Sequence, residues 1–404
     1  MPFVQAAQAA FLIVVLSLAS SSADYAAEST PDQAHTQPQL PPAPGPISSI
    51  RRGSDGQIRV SPSDASTSAA TTAPPRRAGV INPTGPRTLI VGDEHPLQLP
   101  SAAAATAADG DTVEIEAGTY ADCAVWRASR LTIVGLGAGA VLAGKTCAGK
   151  GIFVIAGDDV TVRNLTFSGA KVSDGNGAGI RAEGRNLTVE DSRFLNNEDG
   201  ILTGAKPQSS LVVRNSAFVG NGVCNPACSH GIYAGNIAHL RVEHSTFFET
   251  KEGHHIKSRA LDTELFENTI RDGAKGTASY LVELPNGGTL IMKKNTLEKG
   301  PQSQNNTAAV AIGAEGNLHP SSHLIIEGNS FTNDMAMKTA FVKNLAPTPA
   351  LLEGNIYEGR VVPLLGNGTV KDAASTESWD DRLMDSYGDL KAGLKRRIKA
   401  AIGD

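Results

Sequence analysis

The sequence predicts an all-β fold, a single-stranded parallel β-helix, and three observations predict it. First, one short phrase recurs eight times: VRNLTF ending at Phe167, VEDSRF at Phe194, VRNSAF at Phe218, VEHSTF at Phe247, LFENTI at Ile270, MKKNTL at Leu297, IEGNSF at Phe331 and LEGNIY at Tyr357. The steps between these last residues are 27, 24, 29, 23, 27, 34 and 26. A period in that range marks a solenoid whose repeats bury their apolar faces only by stacking on one another. Second, another strand signal precedes the phrase in the repeats: AGIRAEG from Ala178, DGILTGA from Asp199, HGIYAGN from His230, HHIKSRA from His254 and YLVELPN from Tyr280. Two or three short strands per coil, parted by Gly and Asn turns, suit a β-helix with coils stacked roughly 4.8 Å apart. Third, 42 glycines and 5% aromatic residues fit a turn-rich β protein better than a helical bundle.

The elements follow in chain order. Residues 1–23 read as an export signal, with an apolar run over 11–18 and small residues at Ser21, Ser22 and Ala23, although no Lys or Arg precedes the run. An uncleaved N-terminal anchor is the rival reading, and the only membrane contact expected is through this segment. Residues 24–86 hold 11 of the 22 prolines among Ser, Thr, Ala and Gln, which predicts a disordered linker. The β-helix is expected over 87–370. Leu89, Ile90 and Val91 read as a first strand, and Ser101 as the cap of a short N-terminal capping helix over 102–108. Val113 and Ile115 alternate with Glu114 and Glu116, another strand pattern. Asn268, Asn295, Asn329 and Asn355 share one repeat position and predict a hydrogen-bonded ladder. In the tail, 371–404, Leu383, Met384, Tyr387, Leu390, Leu394, Ile398 and Ile402 predict an amphipathic helix lying on the solenoid or covering its end.

A formal net charge of −5, mixed along the chain, offers no basic stripe for nucleic acid. Four cysteines in an exported chain predict disulfides: Cys123 with Cys147, 24 residues or about one coil apart, and Cys224 with Cys228. Cys224, Cys228 and His230 as zinc ligands is the weaker alternative, lacking a fourth ligand. No metal or other cofactor is expected, and the expected state is a monomer, secreted or periplasmic.

The glycine-aspartate start leading to AGTY, followed by xGI strands and NSF or NTI turns, resembles the right-handed parallel β-helix proteins of the pectin-lyase-like superfamily over about residues 87–370. That resemblance implies a right-handed coil. It does not single out an activity, because the superfamily includes lyases, hydrolases, epimerases, esterases and non-catalytic surface proteins.

Chemistry concentrates on successive coils at one strand position. If Ile201, Ile232, Ile256 and Val282 point inward, then Leu202, Tyr233, Lys257 and Glu283 point outward, with Arg259 two residues on and His230, His254 and His255 at the strand entrance. Such a surface suits proton abstraction beside a carboxylate, as in β-elimination or C5 epimerisation of a uronate. Lys257 or His254 would be the base, with Arg259, Tyr233 and His230 assisting. Asp199, His255 and Glu283 would contact the substrate, an acidic polysaccharide. The bland readings are a surface Lys257–Glu283 pair and histidines satisfied by turn backbone.

IKSRALDTELFENTI, from Ile256, is similar to the lysine-serine strand of the alginate and chondroitin lyase group, where a lysine acts as base and an arginine on the next coil assists. Lys257 matches the lysine. YLVELPNGG supplies no arginine, leaving Arg259 as substitute. SHGIYAG and HHIK resemble motifs of polygalacturonases, but that chemistry needs two or three carboxylates. The matching region has only the neighbours Glu198 and Asp199, which face opposite ways. No aspartate stack for calcium is visible. Two functions remain: a polysaccharide lyase or uronate epimerase, or a non-catalytic β-helix that binds polysaccharide or scaffolds the envelope.

Overall fold

Each copy of the recurring phrase carries the chain around one corner of a coil. In the computed structural model the described residues are 50–52, 58–60 and 85–371, excepting 226 and 317. Three parallel sheets wrap the core, here called A, B and C. Sheet A has 12 strands, from Thr88–Val91 to Gly368–Lys371; sheet B has 10, from Gly118–Tyr120 to Ile356–Gly359; sheet C has 10, from Ala124–Trp126 to Val361–Gly366. Neighbours in every sheet come from successive coils, the topology of a solenoid.

The phrase explains the corner residue by residue. Its first position sits in sheet A and its last in sheet B, as with Val213 in Lys206–Arg214 and Phe218 in Ala217–Val219. Its third position turns the chain with positive φ every time: Asn164, Asp191, Asn215, His244, Glu267, Lys294, Gly328 and Gly354, at 48° to 66°. That left-handed conformation suits Gly and Asn, and charged residues accept it here at some cost. The last positions pair in register from Phe167 through Phe194, Phe218, Phe247, Ile270, Leu297 and Phe331 to Tyr357. Phe194, Phe218 and Phe247 stack nearly parallel, with 4.6 Å between successive ring centroids.

The fourth position makes the expected ladder. Asn268 N–H and Nδ2 donate to Asn295 Oδ1 at 2.9 and 3.0 Å, Asn295 does the same to Asn329, and Asn329 to Asn355. Serines extend it backwards: Ser245 N–H donates to Asn268 Oδ1, Ser216 N–H to Ser245 Oγ and Ser192 N–H to Ser216 Oγ. Asn295→Ala is expected to cost about 2–4 kcal/mol, because it leaves the buried Asn268 N–H without its acceptor and Leu265 O without the Asn295 Nδ2 donor. Urea unfolding with an unchanged midpoint would rule this out.

Both expected disulfides are formed, Cys123–Cys147 and Cys224–Cys228. The thiols of Cys224 and Cys228 are therefore not zinc ligands. Disulfides of this kind fit a protein that works in an oxidising, extracellular or periplasmic setting. The N-terminal helix spans Pro100–Thr106 rather than 102–108. Ser101 is not its cap: Leu99 holds the N-cap position without a side-chain hydrogen bond, and the Ser101 amide is met by Asp122 Oδ2 at 2.8 Å. Pro100 at the first position needs no amide partner. Within the expected linker, Ile50–Arg52 pairs antiparallel with Ile58–Val60. The signal segment, the rest of that linker and the C-terminal amphipathic helix lie outside the described residues. Among those described, no helix is long and apolar enough to cross a membrane.

Candidate functional site

Sheet C aligns the chemistry of successive coils in the expected register. Ile201 pairs with Ile232, Ile232 with Ile256 and Ile256 with Val282, all buried inside the coil. Strand alternation then turns Tyr233, Lys257 and Glu283 outward, and they pair in that order. Arg259 follows the strand His254–Ser258 and donates through Nε to the Tyr233 hydroxyl at 2.9 Å. The Lys257 ammonium and the Arg259 guanidinium lie 5.6 and 5.9 Å from the Tyr233 ring centroid. Four of the expected residues thus meet on one flank.

The outward face is not open. Lys257 is only 3% exposed, because the chain returns over it two coils later. Between the strands Ala308–Ile312 and Leu324–Glu327 a long turn folds back and ties itself to the preceding coil. The Gly313 N–H donates to Leu284 O, Glu315 N–H to Pro285 O and His319 N–H to Asn286 O. From this turn Glu315 reaches both cations: Oε1 lies 3.2 Å from Lys257 Nζ and Oε2 2.7 Å from Arg259 Nη2. Asn286 Oδ1 accepts from Arg259 Nη1 at 2.5 Å, and His319 Nε2 lies 3.1 Å from Arg259 O. Glu315, Asn286 and His319 escaped the sequence reading. The available signal was the 34-residue step, longest of the seven, which marks the coil that carries the added turn.

The histidines take a different part from the one expected. Asp199 Oδ1 accepts the His230 N–H at 2.7 Å, His230 Nδ1 the His254 N–H at 3.0 Å, and His254 Nδ1 the Tyr280 N–H at 3.2 Å. These side chains form a second ladder, at the entrance of sheet C, each satisfying an amide of the next coil. With Nδ1 accepting, each neutral ring carries its proton on Nε2 and has no lone pair left to act as a base. The Nδ1 atoms of His254 and His230, expected to serve as base and assistant, are engaged by backbone amides. Burial, reinforced by the positive charges of Lys257 and Arg259, holds His230 well below the ordinary histidine pKa.

Asp199 and His255 are also misplaced for substrate contact. Asp199 is buried, and burial pushes its carboxyl up to about 8. His255 is fully enclosed, with Nδ1 2.8 Å from Thr250 Oγ1 and Nε2 2.9 Å from Asp272 Oδ1. Its neighbour Ile256 points inward on the strand proper, but Gly253 bends the entrance so that His255 packs edge-on to Phe247 instead of facing solvent. Asp272 further accepts from the Gly300 N–H and the Ser303 hydroxyl, a closed network with a packing role.

Glu283 sits 3.5 Å from Lys257 Nζ and 3.0 Å from His254 Nε2, the latter contact too bent for a well-formed hydrogen bond. Burial raises its pKa, but His254, Lys257 and Arg259 together outweigh burial and hold it near 2. Lys257 lies between Glu283 and Glu315, in contact with both carboxylates. Among the described residues no group of His, Cys, Asp and Glu has the arrangement of a metal site.

Residues 134–270 match the family described as right handed beta helix region. The protein is a right-handed parallel β-helix. No curated protein matches its sequence. Among solved structures, the β-helix is similar to an alginate lyase from Paenibacillus sp. (15% identity, 70% of this chain and 99% of that one, TM-score 0.43). It is also similar to the A-module of a mannuronan C-5 epimerase from Azotobacter vinelandii (15% identity, 69% and 93%, TM-score 0.39). A third likeness is to the catalytic unit of an α-1,3-glucanase from Streptomyces thermodiastaticus (14% identity, 77% and 71%, TM-score 0.37).

Proposed function

We propose that the protein acts on an acidic polysaccharide along the outer face of sheet C, as a lyase or C5 epimerase. The observation that carries this reading is the convergence of Lys257, Arg259 and Tyr233 on one flank of the coil. Two cations set against one phenol are what proton removal beside a carboxylate requires: charge to stabilise the enolate that develops, and a group to move the proton. His230 and His254 Nδ1 accept backbone amides and Lys257 is engaged by two carboxylates, which leaves Tyr233 as the proton carrier in this reading. Arg259 Nε–H already donates to its oxygen and would stabilise the phenolate. In elimination the phenolate takes the C5 proton, the electron pair forms the C4–C5 double bond, and the C4–O bond breaks with its oxygen recovering the proton. In epimerisation water gives C5 a proton from the opposite face, and the proton taken by Tyr233 passes to the resulting hydroxide.

Binding without turnover is the second reading, and the near-complete enclosure of Lys257 favours it. The two separate in one experiment. Polygalacturonate and alginate are incubated with wild type, Tyr233→Phe and Lys257→Ala, following ultraviolet absorbance of the unsaturated product, solvent deuterium at C5 by NMR, and polymer binding. Tyr233→Phe is expected to lose roughly 10²–10⁴-fold in turnover while still binding, the range for a general acid or base. Lys257→Ala is expected to weaken binding by about 2–5 kcal/mol, because Glu283 is left without its partner cation. Binding that survives with no turnover in wild type selects the second reading. Polymer binding unaffected by Lys257→Ala would remove the site altogether.

A further inference from the structure

We infer that Glu315 is an internal substitute for the substrate's carboxylate, occupying a one-carboxylate subsite made by Lys257 and Arg259 that a uronate must take over. The inference rests on the reading of sheet C as the polysaccharide face and adds how that face is regulated. Three features carry it.

The first is geometry. The two Glu315 oxygens are divided between the two cations, Oε1 to Lys257 at 3.2 Å and Oε2 to Arg259 at 2.7 Å. A planar carboxylate approached from two sides is the arrangement a sugar carboxylate would reproduce. The second is exposure. Lys257 faces both Glu283 and Glu315, and Arg259 faces Glu315. Glu283 is buried on the strand and cannot leave, whereas the Glu315 side chain is 24% exposed.

The third is mobility confined to one side chain. The backbone of the turn is pinned at Gly313, Glu315 and His319 to the coil beneath, so no lid needs to open. Glu315 itself lies between Gly313 and Gly316, both at positive φ, and beside Gly316 there is open space. Rotation of the Glu315 side chain into solvent uncovers Lys257 without breaking a backbone hydrogen bond. Exchange of one carboxylate for another keeps both cations paired throughout, so the competition is decided by small differences in affinity.

The test uses the full chain as wild type, Glu315→Gln, Glu315→Ala and Lys257→Ala. Binding is measured by calorimetry to short polygalacturonate and alginate oligomers, to dextran sulfate and to dextran. Glu315→Gln preserves size and hydrogen-bonding capacity, and the turn is exposed, so folding is preserved; Glu315→Ala checks that the glutamine does not itself plug the site. Both are expected to bind one of the uronate oligomers about tenfold more tightly than wild type. Lys257→Ala is expected to bind neither. Equal affinity in wild type and both Glu315 variants, with loss in Lys257→Ala, would overturn the substitution by Glu315 and leave the sheet C reading standing. Absence of uronate binding in every protein would overturn both. A gain for dextran sulfate as large as that for the uronates would overturn the carboxylate assignment in favour of a general anion site.

Discussion

Phe218→Ala is expected to destabilise the β-helix by about 3–5 kcal/mol, the range for emptying a buried aromatic position. Phe218 has no exposed surface, and its ring is stacked on both sides, against Phe194 and Phe247, at 4.6 Å and within 7° of parallel. Alanine removes both contacts, and the coil cannot collapse into the gap because strand pairing fixes its distance from its neighbours. In a solenoid each coil is held by nearest neighbours, so a defect in a central coil also weakens coupling between the two ends. Urea unfolding should therefore show a lower midpoint and a broader transition than wild type. Phe218→Leu, which keeps much of the volume, should cost less than half as much. A loss under about 1 kcal/mol for the alanine variant would show that the column of rings is not what holds the central coils together.

The second large effect concerns pH. Burial pushes the Asp199 carboxyl up to about 8, against an ordinary aspartate value of about 3.9 in the unfolded chain. Between about pH 4 and 8 the unfolded chain releases this proton and the folded chain keeps it. Stability contributed by Asp199 therefore falls as pH rises through that window and is level above it. The fall amounts to at most about 6 kcal/mol, at 1.36 kcal/mol for each pH unit of difference. Asp199→Asn replaces the neutral acid with a neutral group of the same shape, and Oδ1 can still accept the His230 N–H. The variant should lack the decline, so its stability relative to wild type should rise from pH 4 to 8 in unfolding measured across that range. Parallel curves for the two proteins would show that Asp199 is ionised in the fold.

These two positions also show what a single sequence discloses about such a molecule. Phe218 was legible because the core of a solenoid is written periodically: the same apolar position must return once per coil, and chain order equals spatial order. The same regularity exposed the Tyr233, Lys257 and Glu283 register, since one inward Ile or Val per strand determines which side chains face out. It also exposed the asparagine ladder, although the serines that continue it through Ser245, Ser216 and Ser192 share only the ability to accept one hydrogen bond.

What was not legible depends on non-repeating turns. Glu315 lies in an added segment whose path over sheet C is set by three backbone hydrogen bonds, none encoded by a side-chain pattern. Asp272 meets His255 from the corner of the following coil, and His255, read as a substrate contact at the strand entrance, is fully enclosed. The stack of His230 on His254 was visible as proximity, but the tautomers were not, because they are decided by which amide lies beneath each ring.

The change from serine to asparagine along the corner ladder has a mechanical implication. Serine rungs carry one bond between adjacent coils, whereas asparagine rungs carry two and also fasten to a carbonyl such as Val242 O. At this corner the rungs are thus single through Ser245 and double from Asn268 onward. Fraying of this corner is therefore easier on the coils before Asn268 than on those after it.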